Sequence, residues 1–154
     1  MKHTPTNLHR LVYCSEASEP IIRSMDVALP QILAVAQARN SAVGVTGSLL
    51  VCNGWFLQAL EGPMKAVLET YGRVLRDPRH LNLKIINATP TRERHFAEWS
   101  MCGLQLSPVD REIVETLEAG GKFDPSRLSV ERGLGLLLAV AKMQRSRRCK
   151  AEVA

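Results

Sequence analysis

The sequence predicts an α+β domain, and three features carry that prediction. Apolar residues alternate with period two in several short runs. Two longer stretches instead show helical spacing, and an Asn53-Gly54 pair joins two β-rich arms. The chain has 154 residues, 45% hydrophobic and 23% charged, which suits one globular domain with or without a helical appendage.

Residues 8 to 15, LHRLVYCS, predict a first strand with Leu11 and Tyr13 on one face and Val12 and Cys14 on the other. A polar connection follows. Leu29, Ile32, Leu33 and Ala36 then fall at helical spacing. Pro30 is tolerated only near the start of a helix, so the helix is expected to begin near Asp26, with Asn40 just past its end. Residues 44 to 61 predict a β-hairpin, because a type I′ turn needs positive φ twice and Asn-Gly supplies it. On its second arm Phe56, Gln58 and Leu60 share a face, and Trp55, Leu57 and Ala59 point the other way.

Gly62-Pro63 is expected to open a second helix with proline at its first position. Met64, Val67, Leu68, Tyr71, Val74 and Leu75 form its apolar stripe, and Asp77-Pro78 ends it. Residues 82 to 89 and 97 to 106 read as two more strands. The order is β-α-β-β-α-β-β, a ferredoxin-like sandwich with a five-stranded mixed sheet. Helices on one face leave the other bare. The last third supplies a cover: a short helix from Ser107-Pro108 to Gly120-Gly121, then a helix over about 126 to 146 carrying Leu134, Leu137, Leu138, Val140 and Ala141. The expected division is residues 1–106 and a helical extension, 107–154, with a basic tail of Arg145, Arg147, Arg148 and Lys150.

The net charge is +5. Much of it lies in that tail and in a group made by Arg73, Arg76, Arg79 and His80. The tail reads as a solvated end, and the second group suits a smaller anion such as a cofactor phosphate. Cys14, Cys52, Cys102 and Cys149 are widely spaced, which argues against zinc. The N-terminus is polar and the apolar runs are too short to span a bilayer, so a cytoplasmic location is expected. Nucleophile elbows, phosphate loops and metalloprotease helices are absent from the sequence.

Gln58 is the oddity. A carboxamide in mid-strand on a core face needs hydrogen-bond partners, or it costs about 1–3 kcal/mol. The Tyr13 hydroxyl is expected on the core face of the first strand. The plain structural reading is that Tyr13 and Gln58 satisfy one another.

The segments RLVYCS, QARNSAVGVTGSLLV, FLQALEG, RVLRDPRH and FAEWSM, in that order, resemble the BLUF family of blue-light receptors over roughly residues 8 to 106. That resemblance implies a flavin, FAD with FMN as the alternative, held between the two helices. It implies that Tyr13 is the photoactive tyrosine and Gln58 the bridge from tyrosine to flavin. Asn40 matches the residue on the flavin's pyrimidine edge. Arg73 and Asp77 match a polar pair facing the flavin, and His80 is a further candidate contact. Trp99 and Met101 match the tryptophan and methionine of the last strand. Arg39 stands where some members carry Asn or His; it donates but cannot accept.

The implied function is a photoreceptor without catalytic activity. Its Tyr13–Gln58 relay would change a hydrogen bond to the flavin, shift the absorption to the red and signal to a separate partner protein. The apolar last helix suggests a homo-oligomer such as a dimer. The competing readings are a flavin-dependent reductase or acylphosphatase-like hydrolase, and a basic RNA-binding module of the same fold. The first lacks a visible nicotinamide or phosphate loop. The second would need exposed aromatics, and only 5% of residues are aromatic.

Overall fold

Residues 7–97, 102–105 and 123–153 are described in the computed structural model of the chain. The elements in order are β1 (Leu8–Ala17), α1 (Glu19–Arg23), α2 (Met25–Val43), β2 (Thr46–Cys52), β3 (Trp55–Pro63), α3 (Met64–Arg76), β4 (His80–Pro90), β5 (Cys102–Gln105) and α4 (Val130–Val153). The strands form one sheet in the order β4-β1-β3-β2-β5. β2 and β5 run parallel, and the other neighbours are antiparallel.

β1 and β3 are central and covered on both faces, so they read as nearly continuous apolar runs. Alternation sorts their side chains as expected. Leu11, Tyr13, Phe56 and Leu60 meet Leu29 of α2 and Val67 and Tyr71 of α3. Val12, Cys14, Leu57 and Ala59 meet Leu137, Val140 and Ala141 of α4 on the opposite face. Ser48 of β2 pins that helix by donating to the Leu137 carbonyl at 3.1 Å. The β2–β3 turn has Asn53 at φ 50° and Gly54 at φ 77°, the pair of positive angles that the Asn-Gly signal requires.

Several expectations shift. The polar connection contains the short helix α1, with Pro20 in its first turn. α2 does not stop before Asn40. It runs to Val43 and ends on Gly44 at φ 73°, whose amide donates back to the Asn40 carbonyl. Asn40 is therefore inside the last turn, because the left-handed cap that only glycine accepts readily lies four residues further on. Pro63 precedes α3 instead of opening it, since its extended backbone (ψ 138°) still belongs to β3. The α3 stripe divides: Val67 and Tyr71 are buried, whereas Met64, Leu68 and Leu75 face outward.

At the far end, residue 97 is in a turn, and β5 is described only over 102–105. The expected helix from Ser107 to Gly121 lies outside the described residues. The final helix begins at Val130, after a 3₁₀ turn at Pro125–Arg127.

A buried clamp holds the connection after β4. Glu61 of β3 is fully buried. Its carboxylate accepts from Arg10 Nε at 2.8 Å and from the backbone amides of His95 (3.0 Å) and Phe96 (2.7 Å). Arg94 adds hydrogen bonds to the Gly44 carbonyl and to Thr46 Oγ1. Gly62 completes the junction: a Cβ there would stand 2.8 Å from the Gly44 carbonyl oxygen, so glycine is required by close backbone approach.

Candidate functional site

β1 and β3 pair with Tyr13 directly opposite Gln58. Residues opposite one another on antiparallel strands have Cβ atoms about 4.5–5.5 Å apart, within reach of a phenol and a carboxamide. Both are buried, and the Tyr13 hydroxyl donates to Gln58 Oε1. Together they form the floor of a cleft between α2 and α3 that is open on one side.

The last turn of α2 brings Arg39 and Asn40 to this cleft; Asn40 is buried and Arg39 exposed. Arg73 of α3 lines the other wall and donates to Thr70 Oγ1 at 3.3 Å. Asp77 caps α3 and also lines the cleft. Its carboxylate pairs with Arg79, not Arg73, through a forked contact of 2.5–2.9 Å. Burial raises the Asp77 carboxyl, but the hydrogen bonds and charge of Arg79 outweigh it and hold the group below the usual carboxylate range.

His80, the first residue of β4, completes the ring of polar groups. Its Nδ1 is 2.7 Å from Ser15 Oγ, and its ring lies on Phe56 with centroids 4.5 Å apart. Burial depresses its pKa to about 4, with Asp77 and Arg79 acting in opposite directions. Burial likewise pushes the Tyr13 phenol far above its usual range, and Tyr71 and Asp77 add to the rise. Tyr13 is thus a neutral donor throughout the physiological range, its ring 5.2 Å from that of Tyr71.

Seven of the sequence-predicted residues therefore surround one cleft: Tyr13, Arg39, Asn40, Gln58, Arg73, Asp77 and His80. Trp99 and Met101 lie outside the described residues. Ser15 and Thr70 were not singled out in the sequence, and Arg79 was named only as part of the basic group. Ser15 was accessible to reasoning, since it follows Tyr13 by two residues on the same strand face. The Asp77–Arg79 pair has no comparable periodic signal.

Residues 8–102 match the BLUF family, described as sensors of blue light using FAD. The chain belongs to the BLUF family. Its BLUF domain is a flavin-binding blue-light sensor with FAD as cofactor. The match favours this function over the reductase, hydrolase and RNA-binding readings.

Among relatives, photoactivated adenylate cyclase subunit beta of Euglena gracilis is 39% identical over 97 residues, 62% of this chain and 11% of that protein. The alpha subunit from the same organism is 40% identical over 106 residues, 69% of this chain and 10% of its own length. The chain thus spans about a tenth of the length of these curated relatives. Among solved structures, the photo-activated state of BlsA superposes with a TM-score of 0.73 at 28% identity, covering 85% of this chain and 94% of the other. The dark-state structure of BlrB, a BLUF protein, gives 0.67 at 26% identity, covering 92% and 98%.

The BLUF cleft has the chemistry that a flavin ring needs. Ile32 and Ala36 of α2 and Val74 of α3 supply apolar walls for a flat ring. The Asn40 and Gln58 carboxamides each carry a donor and an acceptor, which suits a ring edge that alternates between the two. Arg39 and Arg73 offer guanidinium donors for carbonyl or phosphate oxygens.

Proposed function

We propose that this BLUF domain reports light through Tyr13 and Gln58. The observation that carries this reading is the buried hydrogen bond from the Tyr13 hydroxyl to Gln58 Oε1 on the floor of the cleft. Bound FAD supplies blue-light absorption and, once excited, a strong oxidant. Tyr13 would be the donor of an electron to that oxidant and of its hydroxyl proton to Gln58, and it would regain both, so that no net redox change remains. Gln58, already the acceptor of that proton's hydrogen bond, relays it and then rotates or tautomerises. Its amide presents a different hydrogen-bonding face to the cleft afterwards, and no covalent bond holds the new state.

Asn40 holds the ring edge, with Arg39, Arg73, Asp77 and His80 as further cofactor-binding groups between the two helices. We assign Trp99 and Met101 to the same relay. We assign residues 1–106 to the sensor domain and 107–154 to a helical extension. The output passes to a separate partner protein, the sensor itself being non-catalytic and acting in the cytoplasm as a homo-oligomer. Among the described residues no helix is long and apolar enough to cross a membrane.

The test is an absorption spectrum of the purified protein before and after blue light. A small, spontaneously reversible red shift is expected. Tyr13→Phe and Gln58→Leu should each retain FAD and lose the shift. A normal photocycle in either variant would refute the relay, and extraction of FMN alone would refute the cofactor assignment.

A further inference from the structure

We propose that Ser15 is a positioning residue that holds His80 in a single neutral tautomer, with Nε2–H as the donor offered to an acceptor atom of the ligand in the α2–α3 cleft. The acceptor class is a carbonyl oxygen or an unprotonated ring nitrogen. The inference rests on reading that cleft as the flavin site.

The argument begins with one hydrogen. Ser15 follows Tyr13 by two residues on β1 and is fully buried on the cleft side of the strand. Its hydroxyl carries one proton, and a buried donor without an acceptor is costly. His80 Nδ1 stands 2.7 Å away. Were Nδ1 protonated, it would donate to Oγ, and the serine proton would be left buried with no acceptor among the described residues. Ser15 therefore donates, and Nδ1 is the bare nitrogen. A neutral imidazole with a bare Nδ1 carries its proton on Nε2.

Packing fixes the ring as well as the proton. Phe56 of β3 lies against it at 4.5 Å and 39°, and Tyr13 of β1 meets it edge-on at 6.3 Å. With Nδ1 occupied by Ser15, Nε2 is the nitrogen left for a ligand. The cation is disfavoured by the same logic, since it would place a proton on Nδ1. The charged groups nearby are Asp77 and Arg79 in the preceding turn, which neutralise one another. Tyr13 is a neutral phenol, and Ser15 and Phe56 bring no charge. Burial of the ring favours the neutral form in the same direction.

The experiment is long-range ¹H–¹⁵N correlation spectroscopy of the full ¹⁵N-labelled chain, as apoprotein and loaded with FAD, together with FAD titrations. The wild type should show His80 with Nε2 protonated and Nδ1 bare. Ser15→Ala should give a mixture of tautomers and bind FAD about five- to tenfold more weakly, the loss of one hydrogen bond in a prearranged site. Ser15→Thr should restore the single tautomer. In a His80→Ala background, Ser15→Ala should cause no further loss of FAD affinity. A protonated Nδ1 in the wild type, an unchanged tautomer in Ser15→Ala, or additive losses would each overturn the assignment. Failure to take up any FAD would instead refute the flavin reading of the cleft, and the apoprotein spectra would still decide the role of Ser15.

Discussion

Replacing Glu61 by alanine should be among the most destabilising single changes in this domain, although Glu61 is a charged residue outside the cleft. The side chain is fully buried, and its two oxygens take three donors: Arg10 Nε and the amides of His95 and Phe96. Removal leaves the Arg10 guanidinium, itself 9% exposed, with the Glu93 carbonyl as its remaining partner among the described residues. Breaking a buried ion pair from one side costs about 3–5 kcal/mol, because the surviving charge stays desolvated. Two amides lose their acceptor in addition, each worth about 1–3 kcal/mol if water cannot reach it. The upper part of the ion-pair range is thus the expectation. With a urea m-value near 2 kcal/mol/M, the midpoint should fall by about 2 M. Glu61→Gln keeps one carbonyl acceptor and should cost distinctly less. Adding Arg10→Met to Glu61→Ala should recover the part due to the stranded charge but not the part due to the two amides. Equilibrium urea unfolding at pH 7 measures all four proteins. A loss below about 1 kcal/mol for Glu61→Ala would show that the clamp is solvated and refute the reasoning.

Other consequences are equally direct. Gly62→Ala should destabilise by about 1–3 kcal/mol, because the new methyl meets a backbone oxygen at 2.8 Å that has no rotamer to escape into; thermal unfolding tests it. Leu137→Ala should cost about 2–5 kcal/mol by opening a cavity between α4 and the sheet, read from denaturant midpoints. For pH, His80 has a folded pKa of about 4, below its unfolded value of 6.5. The unfolded chain therefore binds the proton first, and stability should fall as pH drops from 6.5 towards 4, then level off in this component. His80→Gln should flatten that window in a pH series of unfolding curves. Asp77 acts lower: its depressed pKa contributes stability above 3.8 that is lost as pH falls further, so the two components separate.

Local chemistry made several features of this chain readable before any coordinates. Period-two alternation put Tyr13 with Leu11, and Gln58 with Phe56 and Leu60, on the faces they occupy. Asn53-Gly54 specified its own turn through the steric cost of positive φ. Such signals are short-range, so the residues concerned carry them wherever the chain goes. Non-local pairing is another matter. That Tyr13 stands opposite Gln58, 45 residues away, depends on the register of β1 with β3, which periodicity alone leaves open by any even number of residues. The meeting of Ser15 with His80, the choice of Arg79 over Arg73 by Asp77, and the burial of Glu61 against Arg10 follow from the same packing. Each joins groups whose local sequence says nothing of the partner. Helix ends fall between these cases: Asn40 looked like a terminus, but the left-handed cap went to Gly44, whose positive φ favours a residue without Cβ. Faces and turns are properties of neighbouring residues in the chain, whereas the cleft exists only once distant strands have been set side by side.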